Sequence, residues 1–135
     1  MTTQIFVNLP VRDLDRSKGF FTALGYANNP QFTDENAACI VISDTIYVML
    51  LVEPFFQGFT RKTICDARTH TEAILCLSAE SRAGVDALAD KAIAAGGSET
   101  LEAKDYGFMY QRSFQDPDGH QWEVVHMDDG ATPSD

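Results

Sequence analysis

Few residues in this chain are of a type that does chemistry. The three cysteines, Cys39, Cys65 and Cys76, are odd in number and far apart, with no CxxC pair. That usage fits neither a disulfide framework nor a cysteine-rich zinc knuckle. Cys39 and Cys76 lie in apolar, strand-like runs, where a thiol behaves as a small hydrophobe. Cys65, in a loop between charged residues, is the one whose reactivity is worth testing. Aromatic rings gather in two places, Phe55, Phe56 and Phe59 in one stretch and Tyr106, Phe108 and Tyr110 in another. They could wall an apolar pocket or fill a core. Tyr106 and Tyr110 can donate to a ligand oxygen or to a carboxylate. Arg112, Arg61 and Lys62 could clamp an anionic group, with solvated surface charge as the default reading.

The elements that must position these groups read as one unit written twice. A short apolar strand over Gln4–Val11 leads to Asp13, a good helix N-cap, and then to Leu14, Phe20, Phe21 and Leu24 at helical spacing, stopped by Gly25. Three strand-like runs follow, Tyr26–Thr33, Ala37–Ser43 and Thr45–Val52. After a connection over Glu53–His70 the order recurs. A strand over Glu72–Leu77 precedes a helix from about Ser81 to Ala95, with Val85, Leu88, Ala92 and Ala95 on one stripe and Gly96-Gly97 as its stop. Runs at Glu99–Lys104, Phe108–Gln115 and Gln121–Met127 complete it, the last two joined by Asp116-Pro-Asp-Gly119, a tight turn by composition. The pattern βαβββ thus appears twice, displaced by about 67 residues, as Ile5 against Glu72.

Composition narrows the function. With 44% hydrophobic residues in 135, there is enough apolar material for one compact core. A formal charge of −10 repels phosphate backbones and anionic lipid, so nucleic acid and membrane are poor partners. The longest apolar run, Ile46–Val52, is far short of the roughly 20 residues of a spanning helix. The Met-Thr-Thr-Gln start shows no basic stretch followed by an apolar one, so a cytoplasmic location is expected.

Three segments carry a family resemblance: Leu9-Pro-Val-Arg-Asp-Leu-Asp-Arg-Ser-Lys-Gly-Phe-Phe-Thr-Ala-Leu-Gly-Tyr26, Ala94-Ala-Gly-Gly97, and Phe114-Gln-Asp-Pro-Asp-Gly-His-Gln-Trp-Glu-Val124. Together they resemble the vicinal oxygen chelate superfamily of glyoxalase I, extradiol dioxygenases, fosfomycin-resistance enzymes and bleomycin-resistance proteins. More narrowly, the chain is similar to an uncharacterised bacterial group of predicted lactoylglutathione lyases. The match runs in order along nearly the whole chain, and its ending is the most specific part.

The resemblance implies a divalent metal held by a His on the first strand, a Glu on the fourth, a His or Gln on the fifth and a Glu on the eighth. Strand alternation turns Leu9 and Val11 towards the helix and Phe6, Asn8 and Pro10 towards the cleft, with Phe6 at the His position. The fourth-strand position falls at Leu50, with Met49 as its neighbour. Glu72 takes the fifth-strand place, and Glu123 matches the eighth-strand Glu. Two carboxylates would favour Mg²⁺ or Mn²⁺ over Zn²⁺. Catalytic metal sites usually fix three protein ligands, however. The histidines do not repair the deficit: His126 has the opposite parity from Glu123, His120 sits in the turn, and His70 precedes the fifth strand. Glu123 is left with three readings, as metal ligand or general base, as a polar contact to an organic ligand, or as a structural acid satisfied by a Tyr or Arg.

The expectation is an α+β fold of two tandem βαβββ modules forming an eight-stranded mixed sheet with a concave cleft. It is a single glyoxalase-like domain over 1–135, with module 1 at about 4–52, a linker at 53–70, module 2 at about 71–127 and an acidic tail at 128–135. It is expected to bind a small organic molecule through Phe6, Asn8, Met49, Leu50, Phe56, Tyr106, Tyr110 and Arg112. No cofactor is expected, beyond a divalent metal at a degenerate site of Glu72 and Glu123, with Glu123 the catalytic candidate. A homodimer is expected, because Pro10 and the aromatic loop suggest edges that need covering. The alternatives are a metal-dependent lyase, isomerase or dioxygenase acting on vicinal oxygens, and a structural partner protein with no small ligand.

Overall fold

In each half of the chain the first strand lies parallel to the last. A computed structural model describes residues 2–128, so the tail expected at 128–135 lies, beyond Asp128, outside the described residues. The chain divides between Asp66 and Ala67 into two compact units.

The first unit runs β1 (Ile5–Val11), α1 (Leu14–Ala23), β2 (Ala27–Asn29), a 3₁₀ turn (Pro30–Phe32), β3 (Ala37–Val41), β4 (Ile46–Val52) and α2 (Glu53–Gln57). Its sheet has the order β1-β4-β3-β2, with β1 parallel to β4 and the other pairs antiparallel. The helix caps follow the sequence signals. The Asp13 carboxylate accepts the Arg16 N–H at 3.1 Å, and Gly25 takes φ +105° just past the end of α1. From α1, Leu14, Phe20 and Phe21 are buried together with Val11, Ala38, Ile40, Val48 and Leu50, all on one face of the sheet by register. β2 is shorter than the expected run over Tyr26–Thr33. Pro30 has no N–H for the ladder, and the Asn29 side chain caps a 3₁₀ turn instead by accepting the Gln31 N–H at 3.0 Å.

The second unit runs β5 (Ile74–Ser78), α3 (Arg82–Ala94), β6 (Ser98–Glu99), β7 (Lys104–Asp105), β8 (Met109–Gln115) and β9 (Gln121–Met127). Its sheet has the order β5-β9-β8-β6, with β7 also on β8, and β5 is parallel to β9. Ser81 caps α3 by accepting the Gly84 N–H at 2.9 Å. Val85, Ala89 and Ala92 of α3 are buried, as are Phe114, Trp122 and Val124 of β8 and β9, where the Phe114 and Trp122 rings stack with centroids 6.5 Å apart.

The α+β class and the repeated module therefore stand, with two differences of detail. The described strands form two hydrogen-bonded sheets, of four and five strands, rather than one of eight. The fifth strand of the second sheet arises because the run expected at Glu99–Lys104 breaks in two. Ser98 opposite Gln115 would carry Glu102 to Gln111, yet Lys104 stands there, so two extra residues bulge out between β6 and β7.

Candidate functional site

Each sheet has one face under its helix and one turned away from it, and the second face is where side chains can meet a ligand. In the first unit the register places Phe6, Asn8 and Pro10 of β1 opposite Tyr47, Met49 and Leu51 of β4 on the face away from α1. Phe6 is 49% exposed and stacks on Tyr47 with ring centroids 4.8 Å apart and planes within 10°. The Tyr47 hydroxyl donates to the Asp44 carbonyl at 3.0 Å and lies 3.3 Å from the Gln4 amide, which fixes the ring. Asn8 donates to the Phe6 carbonyl at 3.1 Å. The result is a stacked aromatic pair with one amide and one thioether on the same sheet face. Tyr47 was not among the residues singled out by sequence, although its place opposite Phe6 follows once β1 and β4 are known to be parallel.

Leu50 does not belong to this face. It is fully buried, paired with Leu9 and Ala38 on the side covered by α1, and Met49 instead stands beside Asn8 and Cys39. One residue of register reverses a strand's faces. Phe56 is half-buried in α2, which packs on β1 and β4, while Phe55 and Phe59 form an edge-to-face pair at 5.2 Å with Phe59 largely exposed.

In the second unit the face away from α3 carries Cys76 of β5, Glu123 of β9 and Ser113 of β8 in one cross-strand row. Gln121, Gln111 and Gln115 flank that row on the same face. Glu123 is half-buried and accepts from the Gln111 side chain at 3.4 Å, at the long end for a hydrogen bond. Partial desolvation of the sulfur, and then the negative charge of Glu123, push the Cys76 thiol up, away from the thiolate form. Cys76 is exposed rather than packed as a small hydrophobe.

Three expected site residues are placed elsewhere. Glu72 precedes β5, exposed, in a stretch where the Thr71 hydroxyl donates to the Ala73 carbonyl at 2.9 Å, so it does not share the strand face of Cys76. Tyr110 and Arg112 lie on the α3 side of β8, because Ser113, not Arg112, stands opposite Glu123. There Arg112 contacts Asp86 at 3.0 Å, Asp90 at 3.2 Å and Glu99 at 3.3 Å, and the Tyr110 hydroxyl donates to Asp86 at 2.7 Å. These two donors, Tyr110 first, hold the Asp86 carboxyl below its usual range. Both are committed to binding α3 and cannot clamp a ligand on the other face. Tyr106 sits at the tip of the β7–β8 hairpin, half exposed, next to Gly107 at φ +86°. Arg82 holds that tip through the Gly107 carbonyl at 2.8 Å and Asp105 at 3.0 Å.

The turn before β9 fixes where Glu123 falls. Asp116 is buried, and its carboxylate accepts the N–H groups of Asp118 and His120, each at 3.0 Å, and the Trp122 indole N–H at 3.1 Å. Burial pushes the Asp116 carboxyl up. Gly119 takes φ +93° and passes so close to the chain at Ala67 that an added Cβ would lie 2.8 Å from that carbonyl oxygen.

A family model described as bleomycin resistance protein-like N-terminal matches residues 3–43. Among solved structures, a hypothetical protein of S. aureus is 27% identical, with 93% of this chain and 94% of that one covered at a TM-score of 0.79. A glyoxalase/bleomycin resistance protein/dioxygenase family enzyme of Burkholderia phytofirmans PsJN is 15% identical, with 93% and 99% covered at a TM-score of 0.77. The chain thus shares the fold of the glyoxalase/bleomycin resistance/dioxygenase proteins, and its N-terminal third matches the bleomycin-resistance-like model. An antibiotic-binding protein of Streptomyces sp. CB03234 shares the superfamily fold at 16% identity and a TM-score of 0.66, with 94% and 97% covered. No curated protein matches the sequence.

The superfamily's metal does not fit the donors present here. Of the four ligand positions, the first is a phenylalanine and the second, corrected for register, a methionine. The third lies off its strand, and only Glu123 offers a carboxylate from a sheet face. Among the described residues no three His, Cys, Asp or Glu side chains come together as a metal would require. His126 illustrates the deficit: it faces the other way, with Nδ1 3.0 Å from the Ala79 carbonyl oxygen.

Proposed function

We propose that this protein binds a small organic molecule with a planar apolar part, and that it does so without a resident metal. The observation that carries the reading is the stacked Phe6–Tyr47 pair, with Phe6 exposed and Tyr47 half-buried, on the sheet face where the resemblance to the superfamily puts the first ligand. An aromatic plane with one amide and one thioether beside it is the usual make-up of an organic-ligand site, apolar with few polar contacts. The antibiotic-binding protein of Streptomyces supports the reading in one respect, since it has the same fold.

A metal-assisted lyase or dioxygenase is the competing reading, and retention of Glu123 is what favours it. Calorimetric titration of chelator-stripped protein with Mg²⁺, Mn²⁺, Fe²⁺, Ni²⁺ and Zn²⁺, repeated with Glu123→Ala, separates the two. The expected outcome is no stoichiometric site that Glu123→Ala removes. Tight binding of one ion per chain, lost in the variant, would overturn the proposal and restore the enzyme.

A further inference from the structure

The carboxylate of Glu123 has no cationic partner among the described residues. Its neighbours are the neutral Gln111 amide at 3.4 Å and the Cys76 thiol across the strand pair. The basic side chain nearest in sequence on β8, Arg112, is turned to the opposite face and already faces three carboxylates. Lys104, the only lysine or arginine that the strand register places on the face of Glu123, pairs with Gln111, which in turn pairs with Val125 rather than Glu123. The chain has twice as many acidic as basic residues, and these arginines are shared elsewhere, Arg82 between Asp105 and Asp128 and Arg112 among Asp86, Asp90 and Glu99, so neither reaches Glu123.

A half-buried carboxylate left uncompensated is costly unless something charged meets it. Around it stand hydrogen-bonding but uncharged groups, Ser113 in its own row and Gln111, Gln121 and Gln115 beside it. Through its amide oxygens such a floor can accept hydrogen bonds from a planar, multiply protonated nitrogen group without repelling it. We propose that Glu123 is the receptor for an organic cation, an ammonium or amidinium-type nitrogen, which it binds by a charge-assisted hydrogen bond with the neighbouring glutamine side chains completing the shell. The charge of −10 adds long-range attraction for such ligands. The inference rests on the metal-free reading above, because an ion at Glu123 would occupy the same oxygens.

The test is an amide-resolved NMR titration of the whole chain with benzamidinium and, separately, with its neutral isostere benzamide. The expected result is saturable shifts at Cys76, Ser113 and Glu123 with benzamidinium binding about tenfold more tightly than benzamide, the scale of a charge-assisted over a neutral hydrogen bond. Glu123→Gln should erase that preference, and Glu72→Gln, at an exposed carboxylate off the strand, should leave it intact. Equal binding of the two probes, no shift at these amides with either, or a preference that survives Glu123→Gln would each overturn the proposal. Failure of the metal-free reading is distinguishable, because it shows as stoichiometric metal binding in the calorimetry whatever benzamidinium does.

Discussion

Gly119→Ala is the substitution whose cost can be worked most directly from the geometry. Two penalties coincide at this residue. Its φ of +93° is a conformation that L side chains adopt with strain, worth roughly 1–2 kcal/mol. A Cβ there would also stand 2.8 Å from the Ala67 oxygen and 2.9 Å from Arg68 Cα, both backbone atoms that cannot swing aside. Overpacking of that kind costs about 1–3 kcal/mol. Alanine returns less than about 1 kcal/mol by narrowing the unfolded ensemble, so the net loss should be about 2–4 kcal/mol. Gly25→Ala supplies the internal reference, because Gly25 has φ +105° but nothing within 4 Å of its added Cβ, leaving only the conformational cost of about 1 kcal/mol. Urea unfolding followed by tryptophan fluorescence reads both, since Trp122 is buried against the same turn. If the two variants lose the same stability to within about 0.5 kcal/mol, the close approach of the turn to Ala67 does not exist in solution.

The other expectations are briefer. Leu50→Ala should cost about 3 kcal/mol of stability, as a fully buried core leucine does, whereas Met49→Ala should cost about 1 kcal/mol; chemical denaturation that reverses this order would return Leu50 to the ligand face. Asp86 has its carboxyl lowered by Tyr110 and then Arg112, so the stability it contributes is present above about pH 4, the ordinary carboxylate value, and is lost as pH falls through its lowered folded value. Tyr110→Phe should therefore be less stable than the parent at pH 6 and draw level on acidification, and a deficit that stays constant with pH would show that the hydroxyl acts in some other way.

Local chemistry made much of this fold legible before any coordinates. Asp13 and Ser81 announce their helices because a short oxygen-bearing side chain satisfies first-turn N–H groups, and both do so here. The Asp116-Pro-Asp-Gly turn is a four-residue affair whose conformation is set by its own composition. What depended on counting along strands was less secure. Met49 and Leu50 exchange roles with a shift of one residue, and only the pairing of Asn8 with Met49 resolves it. Arg112 and Tyr110 looked free to meet a ligand because the sequence shows their charge and hydroxyl but not the acids of α3 that face them, which lie more than twenty positions earlier. Glu72 was assigned to a strand that begins two residues later, at Ile74.

The parallel pairing of first strand with last has a consequence for the birth of the chain. Ile5 cannot meet Ile46, nor Ile74 meet Gln121, until everything between has been synthesised. Through that interval an apolar strand waits without the neighbour that will satisfy its backbone, and contacts of such long sequence separation form slowly. A ribosome that stalls within either half leaves an open strand of the sort that recruits other chains. Because each half closes on itself, the exposure ends twice, once per unit, and the longest vulnerable stretch is well under half the length it would be if the first strand of the protein had to await the final one.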